Sequence, residues 1–417
     1  MTGTGQSEIL RYMQSSQRSP TIILICASVI LMISIGTRQA FGLFLPPVSM
    51  DLGIGRGSFG LAIALQNLIW GAVQPLTGLF ADKYGAGRVL VIGSVLYALG
   101  LVVMAFSNTV LALNTGGGLL IGLGLSASSF GVVMGVVARS FDPARRSWAL
   151  GIAGAGGSFG QFAMLPYGQA LINAAGWRGA LLLLALSALA IVVLAIPLAG
   201  KPAVRAHEGS LTARFAMREA MRDKGFWFLT FSFSVCGFQT VFMMVHLPAY
   251  LLDKGLALSV GVTALAIVGL CNTIGSYGCG MLGTWYRKKY VLTGIYLLRT
   301  VILTLYLALP VTPWSTYVLA AVLGLTWLGT VPLTNALVAD IFGVRYVSTL
   351  FGIAFFGHQV GSFFGAWYGG YAFDTSGSYT AVWILCIVLS ALAALLCYPI
   401  DDRRRAGGGF EPAVKSA

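Results

Sequence analysis

Charge is what this chain has least of. Only 9% of its 417 residues are Asp, Glu, Lys or Arg, just thirteen are acidic, and 57% are hydrophobic. A soluble domain of this length carries about a quarter charged residues, so with a mean hydropathy of +0.84 the solvent of most of the chain is lipid. Cysteine is scarce as well. The six thiols, Cys26, Cys236, Cys271, Cys279, Cys386 and Cys397, all fall inside apolar runs, without metal-ligand spacing to the three histidines. That argues against a disulfide framework or a Cys/His metal centre and leaves them as small apolar side chains. The sequence also lacks a phosphate-cradling loop and any nucleophile with an oriented base. Membrane catalysis and ATP-driven transport are therefore not expected, and no cofactor is called for. The net charge of +13 is scattered over short loops and gives no basic patch for nucleic acid.

What is present is a series of runs near the twenty-residue length that crosses a bilayer. They are placed at 21–47, 58–81, 88–107, 111–138, 147–173, 178–198, 226–252, 260–283, 289–308, 315–338, 346–370 and 379–399. The first is too long for a signal-peptide core and is not followed by a small-residue cleavage site, so it counts as a span. Twelve spans put both termini on one side. If that side is the cytoplasm, the non-cytoplasmic loops hold only Arg56, Arg178 and Lys254, Arg38 and Arg299 lie within spans, and the remaining 21 of 26 Lys and Arg are cytoplasmic. The positive-inside rule then assigns cytoplasmic termini and, for a bacterial chain, the inner membrane. The expected organisation is a cytoplasmic tail 1–19, a six-helix half 20–198, a basic linker 199–225, a second six-helix half 226–399, and a cytoplasmic tail 400–417. Part of the linker, Leu211–Lys224, can be read either as an amphipathic surface helix or as a topology-setting connector.

The halves repeat at an offset of 201–204. Leu150-Gly151-Ile152-Ala153 returns as Phe351-Gly352-Ile353-Ala354, Gly157-Ser158-Phe159-Gly160 as Gly361-Ser362-Phe363-Phe364-Gly365, and Leu45-Pro46 as Leu247-Pro248. Two parallel repeats with a site between them at the membrane midplane are a known transporter plan. The segment Gly78-Leu79-Phe80-Ala81-Asp82-Lys83-Tyr84-Gly85-Ala86-Gly87-Arg88 resembles the cytoplasmic loop pattern between spans 2 and 3 of the major facilitator superfamily. The resemblance implies an all-α membrane protein of twelve transmembrane helices in two six-helix pseudo-repeats, with Gly78, Asp82, Lys83, Gly85 and Arg88 as a gating motif. At the repeat position the second half has Thr284 in place of the Asp.

Within that superfamily the chain resembles the monocarboxylate transporters. The stretch Phe141-Asp142-Pro143-Ala144-Arg145-Arg146-Ser147-Trp148-Ala149-Leu150-Gly151 is similar to that family's signature before span 5, and Gly36-Thr37-Arg38-Gln39-Ala40-Phe41-Gly42 to the segment that places a substrate-linked lysine. Arg38 stands in that place. The span 8 positions where the family has an Asp and, four residues on, an Arg hold Asn272 and Ser276, so the family's coupling dyad is absent.

Two cations inside spans are costly, at least ~2.5–3.5 kcal/mol each, and point to an anionic guest. Arg38 lies ~7–8 Å outward of the centre of span 1. It is read either as a bidentate carboxylate ligand or as a snorkelling side chain. Arg299, central in span 9, is read either as a substrate ligand or as a brace between helices. His246 and His358 are candidates for substrate or proton contact in the absence of a mid-membrane carboxylate, against the alternative of hydrogen bonding between helices. Gln239, Gln359, Asn335, Thr334, Tyr167 and Tyr368 are further wall candidates. The expected function is secondary transport of a small organic anion of monocarboxylate type by alternating access, proton-coupled or by anion exchange. The open alternatives are a larger or uncharged cargo, such as riboflavin or an aromatic compound, and a transporter-like sensor. The partners expected are a small-molecule substrate and membrane lipid, with the chain functional as a monomer.

Overall fold

A computed structural model describes residues 19–141, 143–199, 217–342 and 347–402. They fold into twelve membrane-length helices. α1 runs from Pro20 to Leu52 as Pro20–Gln39, a tight turn Ala40–Leu43, and Leu45–Leu52. α2 is Arg56–Tyr84, α3 is Ala86–Ala105, and α4 covers 110–140 with a widened turn at Asn114–Leu120 and a break at Ser129. α5 and α6 form one continuous stretch, Pro143–Leu194, divided at Gly176. In the second half α7 is Lys224–Asp253, α8 is Leu258–Trp285 and α9 is Lys288–Ala308. α10 is split into Pro313–Thr326 and Thr330–Phe342, α11 is Val347–Ser376 and α12 is Thr380–Cys397.

Among the described residues, ten stretches are both long and apolar enough to cross a membrane. One of them, Trp148–Leu194, contains two spans, because Gly176 takes φ 68° and ψ 174° and reverses the chain. The hydroxyls of Tyr167 and Ser187, on either side of that glycine, meet at 3.2 Å, so α5 and α6 lie antiparallel. α11 is long enough but diluted with Gly, Ser, His and Gln, which lowers its apolar signal.

The internal repeat is written in the backbone. Gly53 and Gly255 hold φ 62° and 77° at the α1–α2 and α7–α8 junctions, 202 residues apart. Gly176 and Gly377, both at φ 68° and 201 apart, close α5 and α11. Left-handed residues at these ends favour glycine because a Cβ is strained there.

Packing follows the same symmetry. α1 lies along α5, α7 along α11, and the two halves meet through α2 against α11 and α5 against α8. Small residues permit the approach: a methyl group on Gly361 or Gly365 would strike the carbonyls of Ser234 and Phe238, and one on Gly60 the carbonyl of Ala366. Every described acidic residue sits at a helix end or in a junction.

Candidate functional site

Arg38 is in the last turn of the first α1 segment, half-buried, and it does not reach outward. One terminal nitrogen donates to Asn67 Oδ1 on α2 at 2.6 Å, and the guanidinium carbon stands 5.2 Å from the centre of the Trp70 ring. Its Nε is buried and has no hydrogen-bond partner. No described carboxylate pairs with it. Asn67 anchors itself through Nδ2 to Ile63 O at 2.7 Å, one helical turn back. Asn67 Oδ1 is thereby left to face the arginine.

The chain of polar contacts continues into the other half. Gln359 on α11 donates from Nε2 to Asn67 O at 3.2 Å, and its Oε1 accepts from His358 Nδ1 at 3.1 Å. Trp70 packs edge-on to Phe355 at 5.7 Å, and Phe355 stacks parallel to His358 at 5.9 Å. The structure therefore gathers Arg38, Gln359 and His358 into one cluster, with Asn67 and Trp70 between them. It joins α1 and α2 of the first half to α11 of the second. Sequence reasoning passed over Asn67 and Trp70; the signal was the Gln66-Asn67 pair, two buried amides in the middle of an apolar run.

Arg299 is elsewhere and is fully occupied. It is 1% exposed, donates to Thr326 O at 2.5 Å, Trp327 O at 3.0 Å, Gln239 Oε1 at 3.2 Å and Thr326 Oγ1 at 3.3 Å. Thr326 and Trp327 mark the break in α10, where carbonyls lose their helical partners. A cation at that negative helix end is stabilised by the dipole as well as by the bonds. Asn272 serves the same break from α8, its Oδ1 accepting from Leu328 N at 3.0 Å. Gln239 is tied to α12 through Cys386 O at 2.8 Å and Ser390 Oγ at 2.9 Å. These contacts correspond to the bracing alternative for Arg299 and draw Gln239 into the same brace.

His246 is completely buried between Ala366 O, 2.7 Å from Nε2, and the Tyr379 hydroxyl, 3.2 Å from Nδ1. Tyr167 points to α6 and Ser187, Asn335 is exposed on α10, Thr334 is buried there, and Tyr368 is half-buried beside Tyr371. None of these joins the Arg38 cluster by a hydrogen bond among the described residues.

At the end of the bundle opposite the termini, the halves are clamped. The Arg56 guanidinium holds both oxygens of Asp253 at 2.5 and 2.6 Å, lies 3.7 Å from the centre of the Phe373 ring and donates to the Tyr379 hydroxyl at 3.2 Å. Asp374 accepts from the backbone N–H groups of Arg56 and Gly57 at 2.8 and 2.7 Å. A carboxylate from α11 thus caps the start of α2.

At the termini end, Gly85 takes φ 95° between α2 and α3, a value that suits the glycine of the motif. Gly78 faces open space, Lys83 and Arg88 are exposed, and Lys83 Nζ lies 5.1 Å from the centre of the Tyr84 ring. The Asp82 side chain lies outside the described residues, as do most of the two predicted tails and linker residues 200–216.

A sequence model of the Major Facilitator Superfamily matches residues 27–366 and, again, 286–415. The chain belongs to that superfamily. Superfamily membership makes it a membrane transporter for a small molecule and not an enzyme. It is similar to the uncharacterized MFS-type transporter YcxA of Bacillus subtilis, 23% identical over 94% of this chain and 98% of that protein. Monocarboxylate transporter 13 of Rattus norvegicus is 27% identical over 87% of this chain and 85% of its own length. The oxalate:formate antiporter of Oxalobacter formigenes is 23% identical over 89% of each. Among solved structures, a bacterial homolog of the human lysosomal transporter Spinster, in an inward-facing and unoccupied conformation, superposes with a TM-score of 0.76. It covers 92% of this chain and 98% of its own at 13% identity, which supports the fold.

Proposed function

We propose that the protein carries a small organic anion of monocarboxylate type across the bacterial inner membrane by alternating access, with both termini in the cytoplasm. One observation carries the reading: Arg38 stands at the meeting of the two halves, held among the described residues by a neutral amide and a ring face, with its Nε buried and without a hydrogen-bond partner there. A guanidinium fork offers a carboxylate two parallel bonds, and a substrate there would complete what Asn67 only begins. The names of the monocarboxylate transporter and oxalate:formate antiporter relatives agree with that chemistry. With the positive-inside orientation, the Arg56 clamp closes the periplasmic side, so the state described is closed outward. Arg299 serves the α10 break and not the cargo.

A second reading keeps the carrier and changes the cargo to a larger aromatic compound or riboflavin. The rings of Phe355 and Phe233 against His358, with Trp70 edge-on to Phe355, favour it. A thermal-shift screen of purified protein against pyruvate, phenylpyruvate, oxalate and riboflavin separates the two. Carboxylates should raise the melting temperature and riboflavin should not. Stabilisation by riboflavin alone would transfer the assignment to the second reading.

A further inference from the structure

α8 packs along the first part of α10 and touches α9 little. Towards the termini end the space between α8 and α9 is a groove of about 630 Å³, a size that takes a small amphiphile. Leu282 and Trp285 of α8 form one wall, Tyr290, Gly294 and Leu298 of α9 the other, and Thr326 closes the inner end. Thr326 is also the residue whose carbonyl and hydroxyl accept from Arg299, so the groove backs onto the α10 break.

The groove has a direction. From Arg287 at its rim to Leu298 at its inner end, α9 rises about 16 Å at 1.5 Å per residue, close to half of a ~30 Å hydrocarbon core. It therefore spans one leaflet. The inner part is apolar. The outer part carries the exposed rings of Trp285, Tyr286 and Tyr290, the side chains that settle at headgroup level. Arg287 and Lys289 stand 5.3 and 5.2 Å from the centre of the Tyr290 ring.

The rim is cationic. Arg287 gives Nε and one terminal nitrogen to Asp402, and its Nη1 has no hydrogen-bond partner among the described residues. Its side chain is 45% exposed. Lys288 pairs with Asp340 at 2.7 Å and Lys289 donates to Ile400 O at 2.8 Å. The sequence runs on from Asp402 into Arg403-Arg404-Arg405, and a chain advances at most ~3.8 Å per residue. Six bases at this rim thus stand against Asp340, Asp401 and Asp402.

We propose that the α8–α9 groove is a binding site for one anionic phospholipid of the leaflet at the termini end. One acyl chain lies along Gly294 and Leu298 as far as Thr326, and the phosphate meets Arg287. The match of a one-leaflet apolar trough to a basic, aromatic rim selects this occupant. Cationic clusters at this level favour anionic headgroups over zwitterionic ones. The site is separate from the Arg38 cluster and holds whatever the cargo is.

The test uses the full-length protein in detergent, with native mass spectrometry and thermal melting. Phosphatidylglycerol and phosphatidylcholine of identical acyl chains are added in turn. Wild type should retain one phosphatidylglycerol about fivefold more than phosphatidylcholine and melt higher with it. A Cβ on Gly294 meets nothing within 4 Å, so Gly294→Leu fills the groove without a clash. It should melt as wild type does without lipid and lose that retained lipid. Leu282→Trp narrows the groove from the α8 wall and serves if Gly294→Leu does not fold. Arg287→Gln should keep lipid and lose the preference for phosphatidylglycerol. Equal retention of phosphatidylglycerol by wild type and both groove variants overturns the proposal, as does equal retention of the two lipids by wild type. Stabilisation by inorganic phosphate alone makes the rim a small-anion site and overturns it too. A dimer present in wild type and lost in Gly294→Leu would give the groove to a second copy of the chain instead.

Discussion

Arg56, at the first residue of α2, grips Asp253, at the last residue of α7, through two nitrogen–oxygen contacts of 2.5 and 2.6 Å. The pair fastens the first half of the bundle to the second at the end farthest from the termini. Both partners remain partly open to solvent, with side chains 20% and 31% exposed. A lone exposed pair contributes only ~0–1 kcal/mol, but here the ring of Phe373 and the hydroxyl of Tyr379 add to it. Arg56→Ala should shift the conformational population about fivefold or more towards separation of this end. Spin labels at Met50→Cys and Lys254→Cys, one in each half, should report longer and broader distances in the variant. An unchanged distribution would mean the clamp is incidental.

Asp374 takes the backbone N–H groups of Arg56 and Gly57. Asp374→Ala leaves those donors unpaired and should cost about 1 kcal/mol of the closed arrangement, the usual loss for an N-terminal cap. Asp374→Asn keeps an acceptor and should lose less. Hydrogen exchange of the first turn of α2 measures the difference, and equal protection in the two variants would contradict this role.

Arg299 holds together a break. Removing it strands the Thr326 and Trp327 carbonyls and Gln239 Oε1 in the interior, so Arg299→Leu should cost ~3–5 kcal/mol. The expected readout is a clear drop in melting temperature and yield. Arg38→Ala, by contrast, removes one hydrogen bond and one ring contact and should leave melting close to wild type. Reversed sensitivities would exchange the assignments of the two arginines.

Much of this was legible in the chain. Apolar runs gave twelve spans because hydrocarbon admits few alternatives to a helix, and the repeat offset matches the spacing of Gly53 to Gly255 and Gly176 to Gly377. Arg38 stood out because a cation in an apolar run is conspicuous; Asn67, which orients it, is a neutral amide and was not singled out. The work of Arg299 was hidden for a different reason. The sequence of α10 was read as one apolar span, and Gly329 and Pro332, which mark the break that leaves the Thr326 and Trp327 carbonyls in need of a donor, were not singled out. Arg56 read as a loop charge, because the partners that define it, Asp253 and Asp374, are 197 and 318 residues away.

At the termini end, the Arg287 guanidinium holds the Asp402 carboxyl below its ordinary value through a bidentate contact. A carboxylate lowered in the folded state stabilises above its unfolded value of about 3.9, and that contribution is lost as pH falls through the lowered folded value. Melting temperature scanned from pH 6 down to pH 3 should therefore fall less steeply in Asp402→Asn than in wild type. Parallel curves would show the pair contributes nothing.

The account turns on Arg38 as the seat of an anion, and uptake of radiolabelled carboxylates into proteoliposomes tests it most directly. Wild-type protein should accumulate or exchange pyruvate or phenylpyruvate, while Arg38→Ala should lose at least about tenfold of that activity with its fold and melting temperature intact. Arg38→Lys should recover part of it by charge without the bidentate fork. Carboxylate uptake by Arg38→Ala at the wild-type rate would contradict the account.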